Sequence, residues 1–159
     1  MKAAVLTENS VICEKEIPIP EITDGEALIK VHYCGICGSD IGITYSHSYV
    51  YPLVLGHEFS GEVIKVGSEK NNSLIGKAVT AYPVLGCMKC RQCLEKDYTK
   101  CLDYSFIGSR RDGAFAEYIK VPIENIMEIG DLDYKRGALI EPVAVSVHAV
   151  RRLANEENM

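Results

Sequence analysis

The sequence predicts a mainly β domain of barrel or sandwich type with flanking helices. Three observations lead there. Short β-rich runs alternate with Gly, Pro and Asp turns over the first two-thirds of the chain. The tail then changes to an Ala/Leu/Val-rich pattern with helical spacing. Between them, four cysteines crowd a short polar segment that would interrupt the strands with a metal-held lobe.

Taken in order, residues 3–6, 11–17 and 27–33 read as strands, with Asp24-Gly25 as the turn before the third. Residues 60–66 and 77–82 follow, each introduced by glycine, and residues 114–121 make another strand after Asp112-Gly113. The spacing predicts a helix over 134–153, with Val143, Val147 and Val150 on one face and Asp133 as its N-cap. Pro142 should start or kink that helix. Residues 155–159 carry no core pattern, and no repeat or low-complexity tract occurs.

A chain of 159 residues is one domain by length and can bury a sizeable core. It is 47% hydrophobic and 25% charged, which argues against disorder. The net charge of −5 offers no basic footprint, so neither nucleic acid nor an anionic membrane is expected as a partner. The start, apolar only from Ala3 to Leu6, has neither the h-region of a signal peptide nor the length of a membrane span. Seven cysteines without a secretion signal point to a reducing, cytoplasmic setting.

Cys87, Cys90, Cys93 and Cys101 follow the spacing C-x2-C-x2-C-x7-C. Thiolates that close suit a tetrahedral Zn²⁺, and in a reducing compartment metal is favoured over a pair of disulfides. Four protein thiolates leave no position for water or substrate, so this zinc would be structural. A second constellation is spread along the chain: Cys37 in a glycine-flanked turn, His57-Glu58 after Gly56, and Glu141 before Pro142. Cys, His and Glu are all zinc ligands, and three protein ligands with one open position make a catalytic site. By spacing alone this is weak, because a lone His57 is more often a satisfied loop residue and Glu141 a surface carboxylate. Cys34-x2-Cys37 could instead be a redox dithiol, but no βαβ pattern surrounds it.

The string from Gly35 to Asp40, Gly56-His57-Glu58, the four-cysteine lobe and the run from Asp112 to Tyr118 occur in an order that resembles the zinc-dependent medium-chain alcohol and polyol dehydrogenases. The segment from Ala138 to Pro142, followed by His148-Ala149, is similar to the sorbitol and polyol branch, and the string from Phe106 to Gly113 to its sugar-phosphate members. The resemblance implies a GroES-like β-barrel catalytic domain, one catalytic and one structural zinc, and NAD in the full-length enzyme. It implies Cys37 and His57 as catalytic zinc ligands, Glu141 as a carboxylate ligating directly or through water, and Glu58 as a neighbour able to swing onto the metal. Ser39 would receive the substrate alcohol's proton, and Asp40 would orient His57. The chemistry implied is hydride transfer from a polyol or polyol phosphate to nicotinamide, giving a ketose or ketose phosphate. The relay histidine of many relatives is missing, since its position is Gly42; His47 is a candidate substitute.

No G-x-G-x-x-G run follows a strand, so the nucleotide-binding Rossmann domain is expected to lie outside residues 1–159, leaving this chain alone inactive. The expected organisation is one catalytic domain with a zinc lobe at 87–103 and a linking helix at 134–153, homo-oligomeric when full length, whose valine stripe would stay exposed. Arg110 and Arg111 are candidates for anchoring a substrate phosphate, against the plainer expectation of a solvated pair bound to Asp112 or neighbouring carboxylates. Cys13 and Cys34 are expected to be buried without chemistry, and Tyr45, Tyr49 and Tyr51 to pack at the barrel rim. The rival class is a non-enzymatic zinc-binding interaction module, which needs the four lobe cysteines but not Cys37, His57 and Glu141 together.

Overall fold

A computed structural model describes residues 1–7, 11–46 and 50–156, with residues 155 and 156 described by backbone alone. The candidate residue His47, with Tyr49, lies outside the described residues. The strands are β1 (Lys2–Leu6), β2 (Ile12–Glu16), β3 (Glu26–Gly35), β4 (Leu53–Val54), β5 (Glu58–Val66), β6 (Ala78–Ala81), β7 (Val84–Leu85), β8 (Ser105–Phe106), β9 (Tyr118–Pro122) and β10 (Ile126–Glu128). The helices are α1 (Gly38–Tyr45), α2 (Arg91–Leu94), α3 (Tyr134–Gly137) and α4 (Ile140–Glu156). None is long and apolar enough to cross a membrane.

Five strands form the main sheet in the order β10-β6-β5-β3-β9, and three form a second sheet in the order β2-β1-β4. Every pairing is antiparallel. Ala27 and Ile29 from β3, Phe59 and Val63 from β5, and Val79 from β6 are completely buried in one apolar cluster. Period-2 patterning put these residues inside, and full burial of each large side chain contributes about 1.5–3 kcal/mol. Residues 113–117 stitch the sheets together. Ala4 N–H donates to the Phe115 carbonyl at 2.8 Å, while Gly113 and Phe115 N–H donate to the Val54 and Leu55 carbonyls at 2.7 and 2.9 Å. That stitching explains why the strand expected at 114–121 is shorter, Tyr118–Pro122: its first half bridges two sheets instead of joining one ladder.

The helix expected over 134–153 is two helices. Asp133 is the N-cap, its carboxylate accepting from Arg136 N–H at 2.8 Å. The chain turns at Ala138 and Leu139 and restarts at Ile140, so that Pro142 lies in the first turn of α4. A proline there has no N–H for the carbonyl four residues back, so the helical ladder cannot run through. Beyond the restart, Val143, Val147, Val150 and Leu153 are exposed, the apolar stripe expected from their spacing. His148 is exposed on the same helix, not packed as a helix histidine usually is.

The lobe is rooted at a buried amide. Asn125 Nδ2 donates to the Tyr82 and Val84 carbonyls at 2.9 and 2.8 Å, clasping the turn from β6 into β7 just before the first lobe cysteine. Asn125→Leu strands both carbonyls in a dry setting. It should lower stability by about 2 kcal/mol, read as a shift of the urea midpoint with unchanged slope. An unshifted midpoint would show that water satisfies those carbonyls.

Candidate functional site

Cys37 is the N-cap of α1, a helix that weak formers such as Gly38, Gly42 and Thr44 would not make alone. A capping box supplies the missing stability. The Cys37 Sγ accepts from Ser39 N–H at 3.5 Å, and the Asp40 carboxylate reaches back to Cys37 N–H at 2.9 Å. The same carboxylate, only 2% exposed, accepts from Gly56 N–H at 3.3 Å and faces His57 Nδ1 at 3.6 Å. One buried side chain thus ties the cysteine turn to the histidine turn. With Nδ1 on Asp40, Nε2 is the ring atom left to bind a metal.

His57 is carried on the entry to β5 and braced edge-on by Phe106, with ring centroids 5.4 Å apart. Gly56, at φ +93°, makes the turn that aims it; a Cβ there would sit 2.6 Å from the Phe115 ring. Glu58 opens β5 opposite Gly35 of β3, and a Cβ on Gly35 would lie 2.5 Å from the Glu58 carboxylate. A side chain at either glycine would therefore displace a candidate ligand.

Electrostatics follow from this packing. Burial opposes charge on His57, but the Asp40 carboxylate and then Cys37 outweigh it and lift its pKa to about 9. Burial would raise the Asp40 pKa, yet His57 and the Cys37 and Gly56 N–H groups hold it below the usual carboxylate value. Burial pushes the Cys34 thiol up to about 12, with Asp40 and Glu58 adding to the rise. A thiol so reluctant to ionise is a poor half of a redox dithiol.

Ligand atoms of Cys37, His57 and Glu58 lie within 4.8 Å of one another, as do those of Cys87, Cys90, Cys93 and Cys101. Glu141 is outside the first group but near enough to be felt. Burial raises its pKa, His57 pulls the other way and Glu58 adds to the rise. A pocket of about 360 Å³ opens over His57, lined by Ser39, Gly42, Ile43, Tyr104, Phe106 and Ser109. Tyr104, Phe106 and Ser109 were not anticipated as site residues; the likeness of the string from Phe106 to Gly113 hinted at the last two, and nothing in the sequence pointed to Tyr104.

In the lobe, Cys87 Sγ and Cys93 Sγ are 4.0 Å apart. A disulfide requires about 2 Å, whereas two corners of a tetrahedral zinc–sulfur site stand about 3.8 Å apart. Backbone N–H groups of Lys89 and Cys90 pull the Cys87 thiol down to about 6, while burial and the neighbouring thiols push Cys93 up to about 12. The left-handed turn at Met88, φ 58°, brings these donors round the sulfur. Four thiols in this arrangement need a soft cation to ionise together, and Zn²⁺ fits.

The phosphate-anchor candidates do not line the His57 pocket; both line a larger cavity of about 1200 Å³ that shares Tyr104 and Ser109 with it. Arg111 donates to Glu26 Oε1 at 3.4 Å, not to Asp112, which instead accepts from Val54 N–H at 2.9 Å. Arg110 lies over the Tyr104 ring, its guanidinium carbon 4.2 Å from the centroid.

Residues 23–131 match the domain family described as "Alcohol dehydrogenase GroES-like domain", and the chain belongs to it. Over 99% of its length it is 40% identical to galactitol 1-phosphate 5-dehydrogenase of Escherichia coli (strain K12), and over 96% it is 39% identical to sorbitol dehydrogenase of Bacillus subtilis (strain 168). These matches cover 46% and 45% of the relatives, so the chain spans about half their length. The crystal structure of galactitol-1-phosphate dehydrogenase from Escherichia coli superposes with a TM-score of 0.87 at 41% identity, over 94% of this chain and 44% of that one. An alcohol dehydrogenase from Escherichia coli CFT073, solved with NADH, gives 0.83 at 34% identity over 89% and 42%.

Proposed function

We propose that residues 1–159 form the catalytic domain of a zinc-dependent NAD(P) polyol dehydrogenase, acting on a sugar-alcohol phosphate such as galactitol 1-phosphate. The observation that carries this reading is the gathering of Cys37, His57 and Glu58 within 4.8 Å beneath a pocket that Ser39 also lines. Cys37 and His57 would hold the catalytic zinc, with Glu58 or Glu141 completing the set, and the lobe cysteines a structural zinc. Zinc bound there supplies a Lewis acid that polarises an alcohol oxygen. Asp40 keeps the His57 ring turned with Nδ1 inward. The Ser39 hydroxyl would take the alcohol's proton, and Ile43 and Phe106, which line the same pocket, would keep the reacting end dry. Gly42 offers no side chain to pass that proton on, so it leaves through water or another group. A nicotinamide held by residues outside this chain would accept the hydride, and the assembled enzyme would be cytoplasmic and homo-oligomeric.

The lobe alone would suit a non-enzymatic zinc module, but such a module has no use for a second ligand set beside a pocket. The likeness to a sorbitol dehydrogenase keeps a neutral polyol as the second substrate reading. The test joins this chain to the nucleotide-binding half of the Escherichia coli relative and compares galactitol 1-phosphate, galactitol and sorbitol. Zinc-dependent NADH formation with the phosphate favoured is expected. Preference for the neutral polyols rejects the phosphate reading, and zinc binding without oxidation of any alcohol favours the interaction module.

A further inference from the structure

We infer that Arg110 selects the substrate by charge, its guanidinium receiving an anionic group at the end of the polyol remote from the reacting carbon. This rests on the polyol-phosphate reading above and deepens it. The turn after β8 makes the placement. Phe106, edge-on to His57, accepts through its carbonyl from Ser109 N–H at 3.3 Å and Arg110 N–H at 3.0 Å, so the chain doubles back on itself. The Arg110 guanidinium then lies 4.2 Å above the Tyr104 ring, and one N–H donates to the Tyr104 carbonyl at 3.3 Å. Tyr104 and Ser109 line the His57 pocket, and the same two residues line a cavity of about 1200 Å³ that includes Arg110. The two spaces adjoin at Tyr104 and Ser109, with the candidate ligand His57 lining the smaller and the arginine lining the larger. A polyol phosphate needs this arrangement: a hydroxyl at the metal and a phosphate several bonds away.

The neighbouring cations are already engaged. Arg111 is held by Glu26 at 3.4 Å, and Lys120 stands 4.0 Å from the same carboxylate. Among the described residues no carboxylate pairs with Arg110, in a chain whose net charge is −5. Stacking and one hydrogen bond hold the fork in place, and its remaining N–H groups stay free for an anion. An arginine so placed has lost part of its side-chain freedom before ligand arrives, which lowers the cost of a bidentate phosphate contact.

The experiment titrates the zinc-loaded chain with galactitol 1-phosphate and with galactitol, following protein NMR shifts, and takes the ratio of the two dissociation constants. The wild type should favour the phosphate, and Arg110→Ala should cut that ratio about tenfold or more. Arg110→Lys, which keeps charge but not the fork, should fall between. Near-UV dichroism checks that the variants keep their packing, as expected for an exposed side chain. A wild-type preference that survives Arg110→Ala overturns the Arg110 assignment and leaves the phosphate reading standing. Equal wild-type affinity for the two ligands overturns the phosphate reading, and the anchor with it.

Discussion

Replacing Cys87 with serine should remove one zinc ion per chain and melt residues 87–103 while the barrel stays folded. Structural zinc sites bind with about 10–16 kcal/mol at neutral pH, and nearly all of that depends on four thiolates acting at once. The lobe has little else to hold it. Between residues 87 and 103 the buried apolar side chains are Cys93 and Cys101 themselves, whereas the main core lies in β3, β5, β6 and β9. Elemental analysis after mild chelation should find about one zinc retained by the wild type and none by Cys87→Ser. Amide exchange should accelerate across the lobe alone. Undiminished retained metal in the variant would refute the lobe assignment, and global unfolding would show that lobe and barrel fold as one unit.

Asp40→Ala should be the most damaging single change near the candidate catalytic site. It strands the buried N–H groups of Cys37 and Gly56 and removes the carboxylate facing His57. Removing one partner of a buried charged pair costs about 3–5 kcal/mol, a large part of the 5–15 kcal/mol that keeps a typical domain folded. The catalytic metal should be lost as well, because Cys37 and His57 are both positioned through this residue. The Cys37 and Gly56 N–H groups bond to different Asp40 oxygens and Asn keeps only one acceptor, so Asp40→Asn should lose one of the two bonds, be destabilised less than Asp40→Ala, and bind zinc about 10- to 100-fold more weakly. Wild-type zinc affinity in Asp40→Asn would mean that the charge at residue 40 does not matter to the metal.

Much of this architecture was legible because glycine and turn residues punctuate it. The central strands lie within a few residues of where β-rich runs between glycines placed them, since the inner face of that sheet demands apolar side chains while Lys30, Glu62 and Lys65 fall outside it. Helix α1 was not legible. Gly38 and Gly42 argue against a helix, and only the reciprocal Cys37–Asp40 cap, a three-dimensional fact, outweighs them. The break at Ala138-Leu139 was half visible, since Pro142 signals a restart but does not say that a separate turn precedes it. Among site residues, the lobe cysteines declare themselves by spacing. The second ligand set rested on family likeness, because residues 37 and 57 meet only through the β3–β5 register and the Asp40 bridge. The match of Glu58 to Gly35 is invisible until that register is known. Tyr104 and Phe106 look like ordinary aromatics until the turn folds them over His57.

The restart of the chain at Ile140 has a mechanical consequence. Cys37 and His57 are cross-tied by Asp40 and Glu58 opens β5, whereas Glu141 rides on the second residue of α4. The two residues before α4 stand between it and α3, and α4 packs against β5, the strand that Glu58 opens. A body that docked on the exposed Val143, Val147 and Val150 would therefore press on the same helix that carries the Glu141 carboxylate, and reach the candidate site through it.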